Sequence, residues 1–328
     1  MITVAGEALM DVLVDPTGKV TALPGGAPFN VARTIARLGG DCQFLGRLSD
    51  DSFGRRLRTS LEQQNVRLAV PRTTQAPTTL AIAELDDSGS ADYRFYLDET
   101  AASQLEPGDI PPDVFQSCDA IALGGLGILI EPTASSLLGL LPHTPPHIPV
   151  LLDPNCRPRA IKDSAHYRAA VAEFLDHSDV VKVSADDLRC LDPHHDLRTA
   201  ARSFLAGRPS VVLVTDGAAP VLIHTAAAEC SVPVPEVDVV DTVGAGDAFV
   251  AAFLTWWSNQ SLAREDLAST ESLIQATAAA VQVAAAACTV RGANLPAGFC
   301  WSGALPEPAW HVAVNPYRAS PSLYLHLE

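Results

Sequence analysis

Basic residues are scarce in this chain. Its 328 residues include 22 Lys or Arg against 38 Asp or Glu, which gives a formal net charge of −16. A surface that acidic repels phosphate backbones and anionic lipids, so a general role in binding nucleic acids or membrane surfaces is excluded. One small anion site built from backbone N–H groups is still compatible with this charge.

Long apolar runs and paired cysteines are also missing. The longest apolar stretch, residues 276–290, is interrupted by Gln282 and is shorter than the roughly 20 residues of a membrane span. The N-terminus has no basic region and carries Glu7 and Asp11 among its apolar residues, so no signal peptide is expected. The seven cysteines are scattered and never form CxxC, which favours neither a disulfide framework nor a zinc site. We therefore expect a reduced, cytoplasmic protein.

Short apolar runs alternate with stretches of helical periodicity. With 48% hydrophobic residues the chain is globular, and its length fits one large or two ordinary domains. Strands are predicted at 2–5, 42–48, 120–123, 150–152, 180–183 and 211–214. Helices are predicted at 28–38, 52–64, 165–175 and 199–205. Continuous apolar strands separated by helices indicate a parallel sheet covered on both faces.

Two strand–turn–strand signals interrupt this alternation. One lies at residues 11–23, with a turn at 15–18, and the other pairs 78–85 with 92–97 across a turn at 86–89. Hairpins without helices predict a small separate sheet that projects from the main body.

The most informative segment is 241–249, which reads Asp-Thr-Val-Gly-Ala-Gly-Asp-Ala-Phe. It follows a strand-like run at 237–240 and precedes an apolar helix at 248–257. The free N–H groups and the dipole at such a helix start favour an anion such as phosphate. The Walker pattern GxxxxGK[ST] is absent from the sequence.

Asp247 comes directly after this glycine turn. Beside a bound phosphate its carboxylate is placed to accept a proton from an attacking hydroxyl. The alternative is a glycine-rich helix entry in which Asp247 only complements the helix dipole.

The string DTVGAGDAF resembles the C-terminal signature of the PfkB (ribokinase-like) carbohydrate kinases, and further motifs follow in the family's order. The resemblance implies an α/β, ribokinase-like three-layer fold, with a mostly parallel central sheet flanked by helices and a small β-sheet lid. One kinase domain is expected over residues 1–300, with lid strands from about 11–23 and 78–97. The tail 301–328 is given no role; it could dock on the body, join a dimer interface or be disordered.

The same resemblance assigns the substrate side of the site. Asp11 would bind sugar hydroxyls, Gly25 and Gly26 would form the lid hinge, and Asn30 would hydrogen-bond the sugar. Two further positions have open alternatives. Phe95 either caps the sugar or packs within the lid. Arg157 either binds phosphate or an acidic substrate group, or forms an internal salt bridge.

For the reaction itself, the resemblance implies phosphoryl transfer from ATP with Mg²⁺ and with K⁺ as a further candidate ion. Asp247 would be the base, and the amides of Gly244, Ala245 and Gly246 would stabilise the transferring group. Asp187 would act on magnesium through water, and Asp241 and Val243 would bind the monovalent cation. The nucleotide-binding residues would be Lys182, Ser184, Thr215, Gly217, Cys288 and Gly292.

The motifs look most like those of fructokinases, so fructose is the first expected acceptor. Leu97 stands where those enzymes often carry arginine, which leaves 2-keto-3-deoxygluconate kinase and other sugar or nucleoside kinases as alternatives. A non-catalytic sugar or nucleotide sensor on a kinase fold is an alternative of another class. Resemblance also implies a homodimer formed through the lid.

Overall fold

The structure is a computed structural model that describes residues 1–85, 91–161, 163–301, 303 and 311–314. Its strands are β1 (Ile2–Ala5), β2 (Leu9–Val14), β3 (Val20–Gly25), β4 (Cys42–Leu45), β5 (Arg67–Leu68), β6 (Leu80–Leu85), β7 (Ala91–Tyr96), β8 (Ala120–Gly124), β9 (Val150–Asp153), β10 (Val180–Ser184), β11 (Val211–Asp216), β12 (Ala219–Thr225), β13 (Ala228–Val232) and β14 (His311–Val314). Its α-helices are α1 (Ala27–Arg37), α2 (Ser52–Glu62), α3 (Thr133–Leu140), α4 (Ser164–Leu175), α5 (Ala185–Leu191), α6 (Leu197–Ser203), α7 (Ala245–Asn259) and α8 (Thr270–Ala287).

The main sheet has the strand order β14-β13-β12-β11-β10-β9-β8-β1-β4-β5. Every pair from β11 to β5 is parallel, and β12, β13 and β14 extend the sheet as an antiparallel edge. The predicted, mostly parallel sheet is therefore confirmed. The antiparallel edge was not predicted from the sequence. Strands β12 and β13 mix apolar with polar residues, and no helix separates them from each other or from β11.

Helices cover both faces of this sheet and make three layers. Side chains of α1, α2, α7 and α8 pack in one core, and side chains of α3, α4, α5 and α6 pack in the other. Strand β11 supplies both cores alternately, with Val211 and Leu213 in the first and Val212 and Val214 in the second. The period of two along each strand explains why the buried strands are apolar at every position.

The second sheet has four strands in the order β3-β2-β6-β7. It consists of the two predicted hairpins, joined by parallel pairing of β2 with β6; the predicted turn at 86–89 lies outside the described residues. Asp11 pairs with Leu23 on one side and Ala81 on the other, and Ala81 pairs with Phe95. Partners across neighbouring strands share a face, so Asp11 and Phe95 lie on the same face of this lid sheet.

One predicted strand is wrong. Residues 237–240 form no strand, and Val237, Val239 and Val240 are 37–63% exposed. Branched side chains favour a strand only where a neighbouring strand can pair and pack, and this segment has no such neighbour in the described structure.

The segment His311–Val314 of the predicted tail pairs with β13 and therefore lies against the main sheet.

Among the described residues, no helix is long and apolar enough to cross a membrane.

Candidate active site

The start of α7 is built by a left-handed glycine. Gly244 has φ 79° and is the N-cap of the helix, without a side-chain hydrogen bond to the first turn. A Cβ atom here would lie 2.5 Å from Cβ of Ala293, so the position has room only for glycine. The N–H of Ala245 donates to the carbonyl of Thr242 at 3.2 Å, and the anion site at Gly244, Ala245 and Gly246 stays a prediction.

Asp247 lies in the first turn of α7 and is 7% exposed. Nδ2 of Asn30 donates to its Oδ2 at 2.9 Å, and Nδ2 of Asn155 lies 3.5 Å from its Oδ1. Burial raises the pKa of Asp247 to about 6, while the hydrogen bond from Asn30 lowers it. The carboxylate is therefore held in place and titrates near neutral pH, as a general base requires.

A buried ion pair lies beneath the same helix start. Nζ of Lys182, on β10, donates to Oδ2 of Asp153 at the end of β9 at 3.0 Å, and both side chains are at most 10% exposed. A Cβ atom on Gly246 would lie 2.9 Å from this Nζ. Burial works against the charged form of Lys182, but the carboxylates of Asp153 and Asp187 raise its pKa more. A stable positive charge thus lies next to the anion site.

Asp187 has a full set of protein partners. Its Oδ1 accepts from the backbone N–H of Cys156 at 2.7 Å, and its Oδ2 accepts from the N–H and the hydroxyl of Ser184, both at 2.7 Å. Ser184 and Asp187 form a reciprocal capping box at the start of α5. The magnesium role assigned to Asp187 stays a prediction; what the geometry shows is a carboxylate that fixes the loop after β9 to α5.

The lid carries a half-buried carboxylate, Asp11. Burial raises the pKa of Asp11 to about 6, and the positive charge of Arg157 lowers it. A Cβ atom on Gly25 would lie 1.9 Å from Oδ2 of Asp11, so the glycine makes room for this carboxylate. The charge of Arg157 also lowers the pKa of Asp247, so Arg157 lies within electrostatic range of both carboxylates.

Phe95 packs at the junction between lid and body. It contacts a small apolar cluster and stacks on Tyr93, with ring centroids 6.2 Å apart. The cluster consists of Leu9, Ala81, Leu126 and Ala160, with Leu97 packed against it beside Phe95. Gly26, with φ 104°, is the N-cap of α1 and marks the return from the lid to the body.

The predicted cation and nucleotide residues meet on the other side of α7. Oδ1 of Asp241 accepts from the N–H of Val243 at 3.0 Å, and its Oδ2 accepts from the N–H of Gly292 at 2.8 Å. The carbonyl of Cys288, the C-cap of α8, accepts from the N–H of Asp241 at 3.2 Å. This network fixes the loop before α7 to the segment after α8.

Thr215 and Gly217 lie further along the sheet edge. Thr215 pairs with Ser184 across β11 and β10, and Gly217 makes a left-handed turn with open space around its Cα. Within the ranges that the structure describes, there is no group of three or more His, Cys, Asp or Glu side chains that could hold a metal ion. The structure thus offers single carboxylates, such as Asp187 and Asp241, as candidate metal contacts.

Three residues of this site carried no assigned role at the level of the sequence. Asp153 and Asn155 follow an apolar strand, where the carboxyl ends of parallel strands meet, and that position was a usable signal. Glu7 is a carboxylate 3% exposed, within an apolar run, and its partners become visible only in three dimensions.

The comparisons with known proteins agree with this geometry. The pfkB family carbohydrate kinase model matches residues 1–298. A fructokinase of Klebsiella pneumoniae is 34% identical over 256 residues, which cover 77% of this chain and 83% of that protein. The chain therefore belongs to the pfkB family of carbohydrate kinases.

Solved structures show the same architecture. A fructokinase from Xylella fastidiosa with bound ATP superposes with a TM-score of 0.81 at 30% identity, and covers 89% of this chain and 93% of that one. A fructokinase from Vibrio cholerae O395 bound to fructose, ADP and calcium gives a TM-score of 0.77 at 28% identity, with 89% and 94% covered. The fold is ribokinase-like, and the protein is a phosphotransferase with an alcohol group as acceptor.

Proposed function

We propose that this protein transfers the γ-phosphoryl group of ATP to a primary hydroxyl of a small sugar, with fructose as the first candidate. The observation that carries the proposal is the buried carboxylate of Asp247, held by Asn30 in the first turn of α7. Relatives whose names state fructokinase, one solved with ATP and another with fructose and ADP, support the substrates.

Asp247 is the general base of this proposal. One oxygen is occupied by Asn30, which leaves Oδ1, with only the long contact to Asn155, to accept the proton of the sugar hydroxyl. Oδ1 of Asn30 is buried and has no hydrogen-bond partner among the described residues. This free acceptor fits a sugar hydroxyl and supports the substrate role of Asn30.

Negative charge on the transferring group is stabilised by two features. We assign this role to the start of α7 at Gly244, Ala245 and Gly246, where the N–H of Ala245 donates to the carbonyl of Thr242 at 3.2 Å, and to Lys182, which pairs with Asp153 and lies beside Gly246. When bound with ATP, Mg²⁺ neutralises phosphate oxygens, mostly through water. Asp187 is the proposed contact for that water, and Asp241 with the carbonyl of Val243 is the proposed site of a monovalent cation.

The lid supplies sugar recognition and exclusion of water. Asp11 offers a carboxylate for hydroxyl groups, Gly25 and Gly26 form the hinge, and Phe95 closes the junction with the body. Arg157 is exposed, and its Nη1 donates to the carbonyl of Cys156 at 3.2 Å. Its other donors have no hydrogen-bond partner among the described residues, which suits binding of a phosphate or an acidic substituent. The proposed nucleotide contacts are Ser184, Thr215, Gly217, Cys288 and Gly292.

ADP release from MgATP tests the proposal with fructose, ribose, 2-keto-3-deoxygluconate and adenosine, each with and without K⁺. A preference for fructose is the expected result and shows that Leu97 is tolerated. Preference for the acidic sugar assigns Arg157 to substrate recognition and contradicts fructose. ATP binding without turnover on any acceptor contradicts the kinase and favours a sensor.

We also propose a homodimer through the lid. Val20 and Tyr96 lie on the lid face opposite Asp11 and are 60% and 53% exposed. Apolar side chains of this size are costly to leave in water, and a second lid would cover them. Light scattering at micromolar concentration should give twice the chain mass of 34.6 kDa; a value of 34.6 kDa contradicts the dimer.

A further inference from the structure

Glu7 is a buried carboxylate that the proposed reaction does not use. It lies between β1 and β2, where the chain leaves the body for the lid, and is 3% exposed. Its Oε1 accepts from the N–H of Ala27 at 3.2 Å, and its Oε2 accepts from the N–H of Gly127 at 2.9 Å. One side chain thus joins two of the crossings between body and lid, from β1 to β2 and from β3 to α1, to the turn after β8.

The surroundings of Glu7 consist largely of glycine. A Cβ atom on Gly125 would lie 2.5 Å from Oε1 of Glu7, and Gly125 itself has φ 64°. A Cβ atom on Gly26 would lie 2.9 Å from the carbonyl oxygen of Glu7, and one on Gly127 would lie 2.6 Å from Cα of Gly6. Backbone segments can lie this close to Glu7 and Gly6 only where they carry no side chains. The glycines therefore make the space that the Glu7 side chain occupies.

Helix α1 depends on this carboxylate for its N-terminal cap. Its own N-cap residue, Gly26, provides no side-chain hydrogen bond, and its first turn contains no acidic residue. Glu7 supplies from another segment the acceptor that this helix start lacks. Asn30 lies one turn into the same helix and donates to Asp247.

We propose that Glu7 is a positioning residue of phosphoryl transfer: it ties the start of α1 to the turn at 125–127 and thereby holds Asn30 against Asp247. The inference rests on the proposed kinase function. The same turn carries Leu126, which contacts Leu9 and Ala81 of the lid, so Glu7 also fixes the surface on which the lid closes. Burial raises the pKa of Glu7 to about 7, against the lowering effect of its backbone hydrogen bonds.

A double-mutant cycle with Asn30 separates this role from a general effect on folding. Glu7→Ala should lower kcat at least tenfold, and the same substitution should have less than a twofold effect when Asn30 is already alanine. The Kd for MgATP without sugar should stay within twofold, because the anion site at α7 does not contact Glu7. If the effects of the two substitutions on kcat multiply, the inference is overturned. An unchanged kcat in Glu7→Ala overturns it as well.

Asp179→Asn is the matched control. Asp179 is also a buried carboxylate that accepts a backbone N–H, from Val150 at 3.0 Å, but it lies at the amino end of β10, away from Asp247. We expect it to lower the Tm without coupling to Asn30→Ala. If Glu7→Ala does not fold, Glu7→Gln, which keeps one acceptor and the side-chain size, replaces it in the cycle.

Hydrogen exchange tests the link without turnover. Peptides covering 25–30 and 124–128 should exchange faster in Glu7→Gln than in the wild type, and at the wild-type rate in Asp179→Asn. Unchanged exchange in Glu7→Gln overturns the link between Glu7 and these two segments. This outcome does not depend on which acceptor the wild type phosphorylates. Absence of sugar-dependent ADP release by the wild type, by contrast, overturns the proposed function alone.

Discussion

Nδ2 of Asn30 donates a 2.9 Å hydrogen bond to Oδ2 of Asp247, across 217 positions of sequence. Helices α1 and α7 bring the two together on the same face of the main sheet. The bond holds the carboxylate in place and lowers its pKa, against the effect of burial. It occupies Oδ2, so Oδ1 keeps only the 3.5 Å contact to Asn155. In the proposed mechanism, that second oxygen is the atom that accepts the proton.

Replacement of Asp247 should remove most turnover. We expect Asp247→Ala to lower kcat by about 10²–10⁴-fold, the usual contribution of general base catalysis, while MgATP still binds. Sugar-dependent ADP release and calorimetric titration with MgATP check the two parts. Asp186→Asn, at an exposed carboxylate in α5, is the control and should keep wild-type kcat. Near wild-type turnover of pure Asp247→Ala contradicts the base assignment.

The pH profile of kcat should fall on the acid side with a midpoint near the pKa of Asp247, about 6. The ionised form is active, so activity is lost as pH falls through that value. Asn30→Ala removes a hydrogen bond that lowers this pKa, and its midpoint should therefore move to higher pH. Initial rates from pH 5 to 8 measure both; an unmoved midpoint in Asn30→Ala would show that the bond does not control the ionisation.

Asp247 should also reduce stability above pH 6. Its pKa is raised from 3.8 to about 6 in the folded protein, so a stabilising contribution present below the unfolded value is lost as pH rises through the folded one. Asp247→Asn should therefore have a higher Tm than the wild type at pH 8, and a smaller difference at pH 4. Thermal unfolding at both pH values tests this; equal differences contradict it.

Gly244→Ala should disrupt the start of α7. The left-handed φ of 79° and the 2.5 Å approach to Ala293 leave no room for a methyl group, so both the Tm and kcat should fall. Gly139→Ala in α3 is the comparison, since its Cβ would meet nothing within 4 Å. It should leave kcat unchanged and alter stability by less than about 1 kcal/mol in the favourable direction. Similar losses in both variants would refute the steric argument.

Lys182→Met should leave the carboxylate of Asp153 buried and unpaired. Breaking a buried ion pair in this way costs about 3–5 kcal/mol. Urea unfolding should show that loss, and the double substitution Asp153→Asn with Lys182→Met should recover much of it. Turnover should stay low in the double variant, because the positive charge beneath Gly246 is gone. Recovery of turnover together with stability would show that the pair serves only the fold.

Much of the architecture follows from local patterns. The apolar strands β1, β4, β8, β9, β10 and β11 alternate with helices, a pattern typical of a parallel sheet covered on both faces. The glycines at 244 and 246 and the carboxylate at 247 specify a helix start that attracts anions, whatever the rest of the chain does. For this reason the sequence alone identified the sheet and both hairpins of the lid, and it predicted an anion site beside the carboxylate of Asp247.

Long-range proximity was decided by tertiary structure. The run at 237–240 has strand propensity but pairs with no strand in the described structure. Strand β13, in contrast, pairs with β14, which lies more than 75 residues further along the chain. Nothing local shows that Lys182 lies beneath Gly246, or that Glu7 accepts a hydrogen bond from the start of α1. Sequence fixes which groups are present and their local backbone shape; burial, pKa and the pairing of distant polar atoms arise only when the layers pack, because each depends on neighbours that the chain supplies from elsewhere.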